Sequence, residues 1–378
     1  MRRNFRCWAE INLEALRDNA AVARASVGAN VGLLGVIKAN GYGHGLKAVA
    51  HALAPYVDSF GVANCEEATD ARKIVDHPIL ILGPALPEER SRIVRHGFIP
   101  CISTSDEAEA FARVGKGSAV SINFVVDTGM GRIGVSERQA IPTLCRIATM
   151  PAIRLHSVST HLPVADENEA FTHAQLERFT SLVSQIRAEV PGDYKVHALL
   201  SAGVFAVPEF AFDFVRAGLM LYGISPLPDF QYRLSPALTL KARVALIRET
   251  SVRTAPSDQT PLKRHRIALI TAGYADGFPR GMRNGEILIR GSRCVVNAVA
   301  ADVTEVDITR VPGAQVGDEA VLIGRQDQGE VLASEVATKA STIAWEILSR
   351  ISTRVPRVYF DRAHSRGIAA LTPGLKVL

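Results

Sequence analysis

The chain has 378 residues, of which 47% are hydrophobic and 21% charged, with a formal net charge of +5. That length suits about two domains, or a (β/α)8 barrel of ~250 residues with a smaller companion, and so small a charge surplus argues against a nucleic-acid binder. Five widely spaced cysteines with no CxxC argue against a disulfide framework or a zinc site and for a reducing cytoplasm, and no apolar run approaches the ~18 residues of a membrane span.

The N-terminal "MRRNFRCWAEINLEALRDN" is basic but has no apolar core of a secretion signal. From "WAEIN" onward the chain reads as a short strand and then an amphipathic helix, with Leu13, Leu16, Ala20 and Ala23 at helical spacing. Eight strand-like segments follow: "VGLLGVIK", "SFGVAN", "PILILG", "IPCIS", "AVSINFVVD", "IRLHSVSTHL", "KVHALLS" and "FDFVRAGLMLYG". A helical segment follows each of the first six. Runs dense in Val, Ile and Leu, without polar alternation, are buried on both faces. The set predicts a (β/α)8 TIM-type barrel over residues 12–236, with an open doubly wound sheet as the alternative. Pro226, Pro228 and Pro236 then mark a linker-like stretch. Beyond it, alternating segments such as "RIALITAGY", "EILIRG" and "EAVLIG" predict a mostly antiparallel β-domain over residues 237–378, on which a strand within residues 1–11 can pack. One helix, "ASEVATKASTIAWEILSRI", interrupts that domain. The basic run Lys263–Arg266 leads into "IALI" and reads as a solvated strand edge.

In a parallel barrel, reactive groups stand at the C-terminal ends of the strands. Lys38 ends the first apolar run and is followed by "ANGYGHG", in which glycines allow close backbone approach. An amine there suits covalent attachment of a carbonyl compound, helped by burial that lowers its pKa. "DTGMGRIG" holds a literal GxGxxG at Gly129, Gly131 and Gly134. Its context is wrong for a dinucleotide site: no acidic residue lies ~20 positions on, and Pro142 interrupts the next helix. It reads instead as a loop presenting Arg132. His161 follows the sixth strand, Ser201 the seventh, and Arg216, Gly218 and Leu219 belong to the eighth, where this fold often binds phosphate.

Taken in order, "VIKANGYGHG", "DTGMGRIG", "THLP", "RAGLMLYG", "GYADGFPR" and "RVPRVY" resemble the alanine racemases over nearly the whole chain. The resemblance implies a pyridoxal 5'-phosphate (PLP) enzyme, cytoplasmic, without metal, acting on a small amino-acid substrate as a head-to-tail homodimer with shared active sites. It makes Lys38 the Schiff-base lysine and a proton-transfer base. Tyr42, Ser201, Gly218 and Leu219 match phosphate-binding positions, Arg216 the arginine facing the pyridine nitrogen, and His161 a histidine supporting that arginine. Arg132 matches a contact to the cofactor hydroxyl and substrate carboxylate, and Tyr274 a tyrosine at the partner's site. Ala301 and Asp302 fall at a substrate-binding pair, and Thr353 stands where some members have a tyrosine near the phosphate.

The chain also departs from the family. No tyrosine occurs between Arg233 and Gly273, where the family's second catalytic tyrosine lies, and His265 is the only substitute by residue type. Val125 replaces a lysine often found two residues before the "DTGMG" aspartate, and Leu200 an asparagine before Ser201. Three functions are therefore carried forward: an amino-acid racemase whose substrate can be larger than alanine, a one-base PLP enzyme (elimination, decarboxylation or aldol cleavage), and a silent PLP-binding homologue.

Overall fold

Eight parallel strands build the first of two units in a computed structural model of the chain, which describes residues 5–251 and 264–361. They are Gly32–Val36, Ser59–Val62, Ile79–Ile81, Ile99–Ile102, Val120–Asp127, Ile153–Ser159, Lys195–His197 and Phe214–Ala217, called here the first to eighth barrel strands. Each pairs in parallel with the next up to the seventh, and the eighth returns to the first, with Arg216 opposite Leu34. The seventh and eighth nearly close the ring. The Arg216 amide donates to Leu199 O at 2.9 Å and the Asp213 amide to Val196 O at 3.0 Å.

The absence of polar alternation has the expected cause: the second, third, fourth and eighth strands are buried at every position. Helices cover the outside, started by side chains suited to the task. Thr104 and Glu107 cap the helix Ser105–Gly115 reciprocally, Asn64 caps Cys65–Arg72, and Asn168 caps the long helix Glu169–Glu189. The interior is not uniformly apolar. Asn123, Ser157, Ser159, His197 and Arg216, from the fifth to eighth strands, are all buried.

The second unit comprises residues up to Glu14, the short segment Tyr42–Gly45 and residues from Pro236 onward. Its sheet is mostly antiparallel. Cys7–Asn12 lies between Leu238–Ser251, antiparallel, and Arg357–Phe360, parallel. Glu319–Gln326 pairs with both Glu286–Ile289 and Leu238–Ser251, so the sheet curls back on itself through Ser292–Val299, Thr304–Asp307 and Arg264–Ile270. The single helix expected near the end is two, Ala333–Lys339 and Ala344–Ser349. Ser341 takes a left-handed conformation (φ 56°), the Thr342 amide reaches back to Ala337 O and the Ser341 amide to Thr338 O. This Schellman closure ends the first helix even without glycine, overriding the continuous helical pattern.

Within this unit Gly43 has φ 78°, and its carbonyl accepts from Arg357 Nε at 3.0 Å. A Cβ there would lie 2.1 Å from the Leu348 carbonyl oxygen. Gly131 has a similar φ of 69° but open space around it. Gly43→Ala is therefore expected to destabilise by more than ~3 kcal/mol and Gly131→Ala by only ~1 kcal/mol. Urea unfolding of both variants checks this, and equal losses would refute the steric account.

Candidate active site

Lys38 leaves the first barrel strand into an unusual turn. Ala39 (φ 54°, ψ 48°), Asn40 (φ 55°, ψ 45°) and Gly41 (φ 61°, ψ 48°) are all left-handed, and Tyr42 follows at φ 44°. L-residues lose roughly 1–2 kcal/mol each in this conformation. The segment is thus held under strain, a feature beyond the close backbone approach that its glycines allow. Glu67 supplies much of the hold. Its Oε1 accepts from the Asn40 amide at 3.2 Å and its Oε2 from the Ala63 amide at 2.9 Å. Asn40 Oδ1 in turn accepts from the Leu46 amide at 2.9 Å. Sequence reasoning did not select Glu67. The available signal was its place three residues after the helix cap Asn64.

Burial lowers the Lys38 pKa, the Arg132 charge lowers it further, Glu67 opposes, and Arg216 adds to the lowering. His161 is driven down to about 3, first by burial and then by Arg216, Arg132 and Lys38, so its imidazole is neutral. Four of the residues selected from the sequence therefore share one electrostatic cluster. Arg132 makes no hydrogen bond or ion pair among the described residues, so its guanidinium is available to a ligand. Its loop folds around Asp127, whose Oδ1 accepts from the Gly129 and Met130 amides and Oδ2 from Gly131. Partial burial pushes the Asp127 carboxyl up, but these bonds outweigh it and hold the pKa low. The GxGxxG glycines serve this turn.

Arg216 is gripped from three sides. Nη2 donates to Thr160 O at 2.7 Å and to Ala198 O at 2.6 Å, and Nη1 faces His197 Nδ1 at 2.9 Å. Burial lowers its pKa to about 10. The histidine bonded to Arg216 is thus His197, correcting the assignment of that role to His161. The residue before His161, Thr160, supplies one of the carbonyls that Arg216 meets. Guanidinium nitrogens only donate, so His197 Nδ1 accepts and the ring proton sits on Nε2, facing Asn123 Oδ1 at 3.2 Å. Burial first, then Arg216 and His156, drive the His197 pKa well down, in keeping with that neutral tautomer. Asn123 Oδ1 also accepts from Ser157 Oγ at 2.8 Å, while Nδ2 donates to Ser159 Oγ at 2.9 Å and Cys101 Sγ at 3.2 Å. Neither His197 nor Asn123 was singled out from the sequence. Their only signal there was a polar side chain inside an otherwise apolar strand.

Ser201 is buried, 2% exposed, and its Oγ accepts from the Gly218 amide at 3.0 Å and the Met220 amide at 3.3 Å. Leu219 is buried beside them.

The remaining selected residues belong to the second unit. Tyr42 is buried, and its carbonyl lies 2.9 Å from His44 Nδ1. Tyr274, 48% exposed, heads a loop bound to the Ala301 region: its amide donates to Ala300 O and that of Ala275 to Ala301 O. Ala301 and Asp302 are exposed there. Thr353, also exposed, lies between Ser352, whose amide donates to Asp276 O, and Arg354, whose Nε meets Asp276 Oδ1 at 2.8 Å. His265 pairs with Asp307 at 3.5 Å. The interval searched for a tyrosine includes residues 252–263, which lie outside the described residues. Among the described residues no cluster of His, Cys, Asp or Glu suits a metal ion, and no helix is long and apolar enough to cross a membrane.

Comparison with known proteins agrees with this geometry. Residues 11–226 match the family model "Alanine racemase, N-terminal domain" and residues 237–359 match "Alanine racemase, C-terminal domain". The alanine racemase of Symbiobacterium thermophilum is 38% identical, covering 93% of this chain and 96% of that protein. That of Halothermothrix orenii is 34% identical, covering 94% and 97%. Among solved structures, alanine racemase of Clostridium difficile superposes with a TM-score of 0.86 at 30% identity over 96% of this chain and 97% of that one. The biosynthetic alanine racemase of Pseudomonas aeruginosa gives 0.84 at 31% over 93% and 99%. With both domain models matched in order, and a buried Arg216 and a neutral His161 around a lysine of lowered pKa, the chain belongs to the alanine racemase family of isomerases.

Proposed function

We propose that the chain is a PLP-dependent amino-acid racemase in which Lys38 Nζ is the attachment point of the cofactor aldehyde. The observation that carries this reading is the gathering of Lys38, Arg132 and Arg216 around a neutral His161, with Glu67 the one carboxylate acting on Lys38. Positive charge in excess, partly desolvated, suits an anionic ligand. The donors suit PLP in particular. Ser201 Oγ already accepts two amide protons, leaving its own proton for a phosphate oxygen. Gly218 and Leu219 would complete that end, and Tyr42 matches a phosphate-binding position of the family. The bonds of Arg216 leave Nε–H and one Nη1–H to face a ring nitrogen.

PLP, when bound, withdraws electrons from the substrate α-carbon and makes its proton acidic. The chain supplies the rest. An amine of lowered pKa is unprotonated more readily, which suits Lys38 Nζ to take a proton. Arg216, charged at neutral pH, would face the ring as a hydrogen-bond donor and keep its own proton. Arg132, which makes no hydrogen bond or ion pair among the described residues, suits the substrate carboxylate. Val125 and Leu200, apolar where family members carry lysine and asparagine, would make the site less polar, and amino acids larger than alanine are proposed among the substrates. Tyr274, Ala301, Asp302 and Thr353 are proposed to act in a head-to-tail dimer with shared sites. With no tyrosine between Arg233 and Gly273, the group serving the second face is the point on which racemisation stands or falls.

Incubation with PLP and a panel of L- and D-amino acids in D2O, followed by NMR, tests the reading. Deuterium entry with inversion is expected. Exchange with retention, or new products, would instead establish the one-base alternative, and no exchange across the panel would leave only a binding role. Lys38→Ala is expected to abolish the visible absorption of bound cofactor.

The electrostatics make a separate prediction for the protein before reconstitution. Reductive methylation mapped by mass spectrometry should modify Lys38 at lower pH than surface lysines, because its neutral form is favoured. Arg132→Leu removes a repelling charge and should move the midpoint up; Glu67→Gln removes an attracting one and should move it down. Shifts of the opposite sign would refute the cluster.

A further inference from the structure

Gln175, on the helix Glu169–Glu189, is fully buried and takes no part in the chemistry above. Its Nε2 donates to Thr128 Oγ1 at 2.6 Å and to the His161 carbonyl at 3.0 Å. A carbonyl only accepts, so the amide NH2 must face it, which fixes the orientation of the group. Oε1 is then turned away and has no hydrogen-bond partner in the structure. A buried acceptor left unpaired lowers stability, and leucine at this helix position would avoid that loss. The amide is therefore explained by what it holds in place, not by packing.

What it holds is the base of the Arg132 loop. One turn along the same helix, Arg178 Nη2 donates to Thr128 O at 2.9 Å, so the helix grips both the hydroxyl and the carbonyl of Thr128. Thr128 Oγ1 also meets Thr160 Oγ1 at 2.7 Å, and Thr160 O accepts from Arg216. Arg132 has no hydrogen bond of its own among the described residues, and its loop contains three glycines of positive φ. Where its guanidinium stands is decided at the base of the loop.

We propose that Gln175 is a positioning residue: its amide fastens the Arg132 loop to the segment bearing His161, and so sets the place of the Arg132 guanidinium for the substrate carboxylate. The proposal deepens the racemase reading and rests on it for the identity of the carboxylate. Gln175→Met keeps the volume and removes both donors. Thr128→Val removes the acceptor from the other side, and serves if the first variant folds poorly.

Hydrogen–deuterium exchange of amides 129–134 is expected to quicken about 10-fold in either variant, with the helix Leu46–Leu53 unchanged. In the PLP-loaded enzyme, KM should rise roughly 10-fold with kcat within about 3-fold. In an Arg132→Ala background, Gln175→Met should add nothing further to KM. Loop exchange that stays at the wild-type rate, exchange that quickens throughout the barrel with KM unmoved, or a KM effect undiminished in the Arg132→Ala background would each overturn the proposal. Wild-type protein inactive towards every amino acid would reject the racemase reading, while the exchange data would still decide whether Gln175 fastens the loop.

Discussion

A guanidinium sealed inside a parallel barrel is the constraint around which the first unit is organised. Removing a cation from water is costly unless its donors are satisfied. Arg216 meets this with two backbone carbonyls and one imidazole nitrogen, and no carboxylate. The choice has consequences several residues away. His197 must stay neutral and accept at Nδ1, so it must donate at Nε2, and Asn123 Oδ1 receives that proton. Asn123 is then tied to Ser157, Ser159 and Cys101. A polar chain crosses an otherwise apolar core because one charge is kept there uncompensated. Burial depresses the pKa of His161, and the same charge, with Arg132, adds to it.

The second constraint is local. The residues after Lys38 run left-handed through Ala39, Asn40, Gly41 and Tyr42, in a form that side chains resist. Strain of this kind persists only where surroundings over-determine it. Here Glu67 and Asn40 do so from within the barrel unit. Glu67 has two tasks, holding the strained backbone and supplying the one negative charge that acts on Lys38. Backbone conformation and amine acidity are thereby joined in one residue.

Which parts of this were legible in the sequence follows from the range of each signal. Lys38, Arg132, Ser201 and Gly218 sit in short glycine-marked segments at strand ends, where local order alone points to a site. His197, Asn123, Glu67 and Gln175 do not. Their roles at the site depend on partners 14 to 74 positions away in sequence. The assignment of a supporting role to His161 illustrates the difficulty: two histidines follow neighbouring strands, and only the register decides which ring meets Arg216. The divided helix at Ser341 is similar, since a serine in a left-handed turn leaves no mark in a helical pattern.

By itself the sequence determined the alternation of apolar strands with helices, the change to an antiparallel domain near Pro236, and the chemistry-bearing types at the strand ends. Periodicity and turn residues act over a few positions, so they can be read directly from the chain. Only tertiary structure decided the tautomer of His197, the lowered pKa values of Lys38 and His161, and an Arg132 without a hydrogen bond among the described residues. Those properties depend on burial, and on charges and hydrogen bonds from strands far apart in sequence, and they exist only once the barrel has brought them together.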